Sequence, residues 1–156
     1  MFNSLKKIFN SSAENTDNDN SKEELSLLCG LMIESALSDG KIEKVELDKI
    51  TISLVEVFKE NKTEVESTIN DCLEEIDTPK SLHYFTSKIN KLFSENKKIL
   101  LIETLWEIVL SDGNIHDYES NLIRRLAGLL YITDISCGNA KKRALRKINQ
   151  KLQNDI

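Results

Sequence analysis

From Ser21 onward, apolar residues recur at steps of three and four almost without interruption, the spacing of one face of an α-helix. Leu25, Leu28, Met32 and Ala36 form the first run, Leu47, Ile50, Leu54 and Val57 the second, and Val65, Ile69, Cys72 and Ile76 the third. Asp77-Thr78-Pro79 breaks the pattern. Thr78 suits a cap and Pro79 the first helical position, so Leu82, Phe85, Ile89 and Leu92 are predicted to form a fourth helix that bridges two halves. Ile99 to Leu110 is apolar on almost every side apart from Glu103, Thr104 and Glu107, which predicts a central helix with Trp106 buried. Leu122, Leu126, Leu129 and Leu130 define its partner, and Leu145, Ile148 and Leu152 a last helix. No alternating strand pattern or hairpin dipeptide appears, and one Pro with five Gly is little punctuation for a β protein. The expected fold class is all-α.

Ahead of this domain, Met1 to Phe9 places Phe2, Leu5, Ile8 and Phe9 on one helical face beside Lys6 and Lys7, which suits a membrane surface or a partner. Residues 10–21 (NSSAENTDNDNS) carry almost no apolar side chain to offset the entropy of ordering, so they read as a flexible polar linker. The expected organisation is a short amphipathic helix over 1–9, a linker over 10–21 and a helical domain over 22–153.

One motif occurs twice, Glu-x4-Asp-Gly-x-Ile-x3-Glu-x3-Ile. Its copies read Glu34, Asp39, Gly40, Ile42, Glu46, Ile50 and Glu107, Asp112, Gly113, Ile115, Glu119, Ile123, at a constant offset of 73 residues. A repeat of this length points to a supersecondary unit copied within one pseudo-symmetric fold. From the Asp onward the spacing is that of the second half of an EF-hand calcium loop. Such a loop needs oxygen ligands two and four residues earlier. Those positions hold Leu37 and Ser35 in one copy and Leu110 and Ile108 in the other, which excludes the standard loop. The structural alternative is a capped helix-turn-helix: Gly relieves the left-handed end of one helix, Ile42 and Ile115 are buried plugs, and Glu46 and Glu119 sit where a capping-box Glu would be.

Composition narrows the function classes. The 156 residues carry a formal charge of −5, which argues against a general nucleic-acid binder. Lys141, Lys142, Arg143, Arg146, Lys147 and Lys151 make the C-terminal segment locally basic, which leaves two readings open: a contact with a phosphate-bearing or acidic partner, and a solvated face with cations near the C-terminal dipole of the last helix. Cys29, Cys72 and Cys137 form no Cys-x2-Cys pair and imply neither a disulfide scaffold nor a zinc ribbon. No apolar stretch is long enough to span a membrane and the N-terminus lacks a signal-peptide core, so a reduced, cytoplasmic protein is expected. His83 and His116 are the only histidines, with no nucleophile elbow or Gly-rich phosphate loop, and no enzymatic activity is expected.

The Asp-Gly-x-Ile-x3-Glu turns resemble those of the TerB family of bacterial tellurite-resistance and stress proteins. Leu105-Trp106-Glu107, Ser111-Asp112-Gly113, Tyr118-Glu119 and Leu122-Ile123-Arg124-Arg125 are especially similar to the branch of small stand-alone TerB-like proteins, as are Tyr84-Phe85-Thr86 and the Phe2 to Phe9 segment. The similarity runs from about Glu24 to Lys147. It implies a compact bundle of about seven helices with internal two-fold symmetry and an acidic cluster proposed to bind metal. Carried over by position, that cluster is Asp39, Glu46, Asp112 and Glu119, with Glu34 and Glu107 alongside. Glu43 and His116 depart from the family pattern, which often has a capping Asp there. Two readings stay open: a module binding Ca²⁺, Mg²⁺ or Mn²⁺ in a stress or metal-resistance response, and a structural bundle that binds a protein partner, peripheral to a membrane through residues 1–9, whose acidic turns are only caps.

Overall fold

The periodic runs fold as helices. The computed structural model describes residues 20–37, 40–78, 80–111, 113 and 116–154, and these form seven helices and no strand. They are α1 (20–36), α2 (Lys44–Glu56), α3 (Lys62–Glu74), α4 (Leu82–Leu92), α5 (Glu95–Leu110), α6 (Asp117–Leu129) and α7 (Asp134–Asn154). Residues 20 and 21, grouped with the linker on composition, already belong to α1. The segment 1–9 and nearly all of the linker lie outside the described residues. No described helix is long and apolar enough to cross a membrane.

The two halves have the same local plan. α2 and α6 are each thirteen residues long and start 73 residues apart. The connection after α2 spans residues 57–61 and that after α6 spans 130–133, so α7 begins at an offset of 72 from α3. Lys59 and Tyr131, both at φ 59, turn the chain in these connections.

α5 is buried as its sequence predicts, with Trp106 only 1% exposed, and lies against α2, α6 and α7. α1 shares this central place. Leu27, Leu28, Cys29, Leu31, Met32 and Ile33 are all buried, nearly the whole circumference of the helix. Such a helix has no solvent face to spend on charge, which is why its polar residues gather toward its ends.

Two details differ from the sequence expectation. α4 opens at Ser81, whose side chain accepts a hydrogen bond from Tyr84 N (3.2 Å), and not at Thr78. The Thr78 hydroxyl instead donates back to Glu75 O (3.1 Å), finishing the turn after α3. On α7 the buried face is Cys137, Ala140 and Ala144 with Ile148 partly covered, whereas Leu145 and Leu152 are exposed. Small side chains let α7 approach α5 closely, so the larger leucines are turned outward.

The α5–α7 contact also carries charge. Glu103, buried in α5, pairs with Arg143 Nε (3.1 Å) through one carboxylate oxygen and with Lys147 Nζ (3.1 Å) through the other. Lys141 Nζ stands 5.0 Å from the Trp106 ring centroid, a cation–π contact.

Candidate functional site

Both Asp-Gly turns use glycine for its conformational freedom. Gly40 (φ 99) and Gly113 (φ 75) lie in the left-handed region, and their N–H groups donate to Leu37 O (2.8 Å) and Leu110 O (3.2 Å), closing the ends of α1 and α5. The chain then extends through Glu43 (φ −89, ψ 156) and His116 (φ −86, ψ 137) before α2 and α6 begin. Neither residue caps its helix through a side-chain hydrogen bond. With Glu and His replacing the short polar residues that fold back best, the two helix starts rely on Glu46, Asp117 and Glu119 in their first turns, where negative charge meets the positive end of the helix dipole.

This arrangement opens Glu46 and Glu119 on a common pocket. Both are partly buried, and both line a pocket of about 510 Å³ between α1, α2, α5 and α6. Its walls are largely made of residues paired at the 73-residue offset: Met32 with Leu105, Ser35 with Ile108, Ala36 with Val109, Glu46 with Glu119, Lys49 with Leu122 and Ile50 with Ile123. His116 and Tyr118 complete the rim on the α6 side. The pocket lies where the two halves meet, and each half contributes equivalent positions.

The other carboxylates of the repeated motif go elsewhere. Glu107 turns toward α7, where its carboxylate oxygen lies 3.0 Å from Lys147 Nζ. Burial alone would lower the Lys147 ammonium, but its hydrogen bonds to Glu107 and Glu103 outweigh this and hold its pKa above the ordinary lysine range. Glu34 lines a second cavity, of about 360 Å³, with Asp71, Glu75, Lys80 and Lys88 on the α3 and α4 side of α1. Asp39 and Asp112 lie outside the described residues. Of the six carboxylates singled out from sequence, the described structure therefore gathers Glu46 and Glu119 and separates Glu34 and Glu107 from them.

For a hard divalent cation, two carboxylates offer at most four of the six to eight oxygens that Ca²⁺ takes. Among the described residues no group of three His, Cys, Asp or Glu side chains is placed to hold a metal ion. Any complete shell would draw on the Asp-Gly turns and water.

The apolar pocket itself was not anticipated, although its signal was present. Aligning the copies at 73 residues pairs Met32 with Leu105 and Ile50 with Ile123, apolar residues that must converge if the halves face each other. The thiols are not part of it. Burial pushes Cys29 up to about 12, with the neighbouring Cys72 adding to the shift, and burial also raises Cys72 and Cys137. Such thiols pack as small apolar groups and hold their protons.

The described helices define an all-helical module in which residues around both copies of the repeated motif line one partly apolar pocket that carries Glu46, Lys49, His116 and Glu119. The family model of the tellurite resistance protein TerB matches residues 25–142, and the chain belongs to that family. No curated protein and no solved structure matches it.

Proposed function

We propose that this protein is a non-enzymatic TerB-family module that binds a divalent cation at the shared end of its two Asp-Gly turns, as a component of a bacterial stress or tellurite- and metal-resistance response. The observation that carries this reading is the convergence of Glu46 and Glu119, equivalent residues of the two motifs, on one pocket. Carboxylates from both copies of the motif that open on one pocket offer oxygen donors to a cation there. Carboxylate oxygens favour Ca²⁺, Mg²⁺ or Mn²⁺ over thiolate-seeking ions. Asp39 and Asp112 are proposed as further ligands, with water completing the shell; Glu34 and Glu107 are at most outer groups. The working place of such a module is the cytoplasm, beside a protein partner and without nucleic acid.

The test is a thermal melt with and without millimolar Ca²⁺, Mg²⁺ or Mn²⁺ at fixed ionic strength. A ligand that binds only the folded state stabilises by RT ln(1 + [L]/Kd), about 2.7 kcal/mol at a hundredfold excess over Kd. The gain should disappear in Asp39→Asn/Asp112→Asn and in Glu46→Gln/Glu119→Gln. A wild type indifferent to all three cations, or variants that gain as much, would refute cation binding.

The second reading, an interaction bundle whose acidic turns are structural, draws on a different observation: most of the pocket wall is apolar, with Met32, Ile50, Leu105 and Ile123 inside it. Under that reading the same melt is insensitive to cations, and a partner protein or membrane surface engages the module.

A further inference from the structure

The pocket between α1, α2, α5 and α6 is larger and more apolar than a cation requires. Its volume of about 510 Å³ falls within the roughly 300–1,000 Å³ of ligand sites. Tyr118, which lines it, is 53% exposed, and Val45, the equivalent second residue of α2, is 60% exposed. An apolar hollow edged by exposed apolar side chains and two carboxylates fits an amphipathic helix bearing cations beside its apolar face.

This chain carries such a segment. Met1 to Phe9 has Phe2, Leu5, Ile8 and Phe9 at helical spacing, with Lys6 and Lys7 beside them. We infer that this segment docks into the pocket of its own chain, seating its apolar residues against the partly exposed Ile108, Val109 and Leu122 and directing its lysines to the side of the pocket that Glu46 and Glu119 line.

The geometry permits it. The pocket is lined by the far end of α1, at Met32, Ser35 and Ala36. That end lies about 18–24 Å from residue 20 at the helical rise per residue. The ten residues 10–19 reach up to about 35 Å when extended, more than enough to return alongside α1. Their polar composition suits a tether that must pass through water. Lys49 and His116 also line the pocket, so the electrostatic contribution is modest and the apolar seat carries most of the contact. A tethered segment also meets its site at the millimolar effective concentration of a short linker, so weak intrinsic affinity suffices. The docking does not rest on cation binding, and a cation at Glu46 and Glu119 would compete with Lys6 and Lys7 for the same carboxylates.

The experiment is methyl and aromatic NMR on the full chain. Nuclear Overhauser contacts are expected from the Phe2 and Phe9 rings to the methyls of Ile108, Val109 and Leu122, at the same strength across a twentyfold range of protein concentration. Leu5→Asp should abolish them and shift the pocket methyls while leaving the Trp106 indole signal in place. Phe9→Ser, a second change outside the described helices, should do the same. Absence of the contacts in the unmodified chain overturns the proposal. So do contacts that grow with protein concentration, which would mean a second copy is the occupant. Sedimentation with phosphatidylglycerol vesicles, with pocket methyl shifts identical in the wild type and Leu5→Asp, would assign the segment to a lipid surface and overturn it as well.

Discussion

The ring of Phe85 on α4 occupies the space a side chain would need at Gly30 on α1: a β-carbon there would lie 2.4 Å from Phe85 Cε1 and 2.8 Å from Cζ. Gly30 is buried within a helix, where Ala would ordinarily be favoured by up to about 1 kcal/mol. The clash outweighs that preference to the extent that the Phe85 ring cannot swing into the cavity that it and Gly30 both line. Gly30→Ala should destabilise by about 1–3 kcal/mol in a denaturant titration. Combining it with Phe85→Leu should recover part of the loss, showing that the ring is the obstacle.

The pair of cations around Glu103 predicts an asymmetry. Removing both Arg143 and Lys147, as methionines, leaves a buried carboxylate without its partners and should cost about 3–5 kcal/mol. Replacing Glu103 with Leu leaves two half-exposed cations that can turn to water, and should cost distinctly less. Equal losses in paired melts would mean the network acts through packing alone.

Alkaline pH should weaken the fold by two routes. Cys29 is held protonated up to about 12 when folded, whereas the unfolded chain gives up that proton from about pH 9. The unfolded state therefore binds fewer protons over this interval, and stability falls as pH rises through it. Lys147 has the opposite chemistry and the same consequence: its raised folded pKa gives stability that is complete below the ordinary lysine value and lost as pH climbs through the folded one. Denaturant midpoints measured between pH 7 and 11 should decline above about 9. Thiol labelling at pH 8 should modify half-buried Cys72 first and reach Cys29 and Cys137 only with unfolding.

The inward face of α7 gives a sharp contrast. Ala140 and Ala144 have no exposed surface, so Ala140→Leu should overpack the α5 contact and cost about 1–3 kcal/mol. Leu145→Gln, only a few positions along, should stay within about 0.5 kcal/mol of wild type. A melt series on these two variants decides which face is inside.

That contrast also shows where the sequence was legible. The positions of the helices followed from periodicity, and α5 announced its central place through the scarcity of polar residues from Ile99 to Leu110. α7 misled because leucine spacing is a good guide only when large side chains fill the contact. Here the contact is made by Cys137, Ala140 and Ala144, whose small size carries little hydrophobic signal. The site divided in the same way. The equivalence of Glu46 and Glu119 could be read from the repeat, because one register places both in the first turn of a helix. The departure of Glu107 could not, since it depends on Lys147 arriving from a helix forty residues downstream. Glu34 went to its cavity for a similarly distant reason, the packing of α3 and α4 beside α1.

The pairing of the pocket walls has one more consequence. Equivalent positions have diverged in character: Ser35 and Lys49 on the first half stand opposite Ile108 and Leu122 on the second. The hollow thus has two unlike banks, one bearing Ser35 and Lys49 and the other His116 and Tyr118. A long, two-faced guest cannot lie in it equally well after being turned end for end, so a copied unit that began with no sense of direction has acquired one.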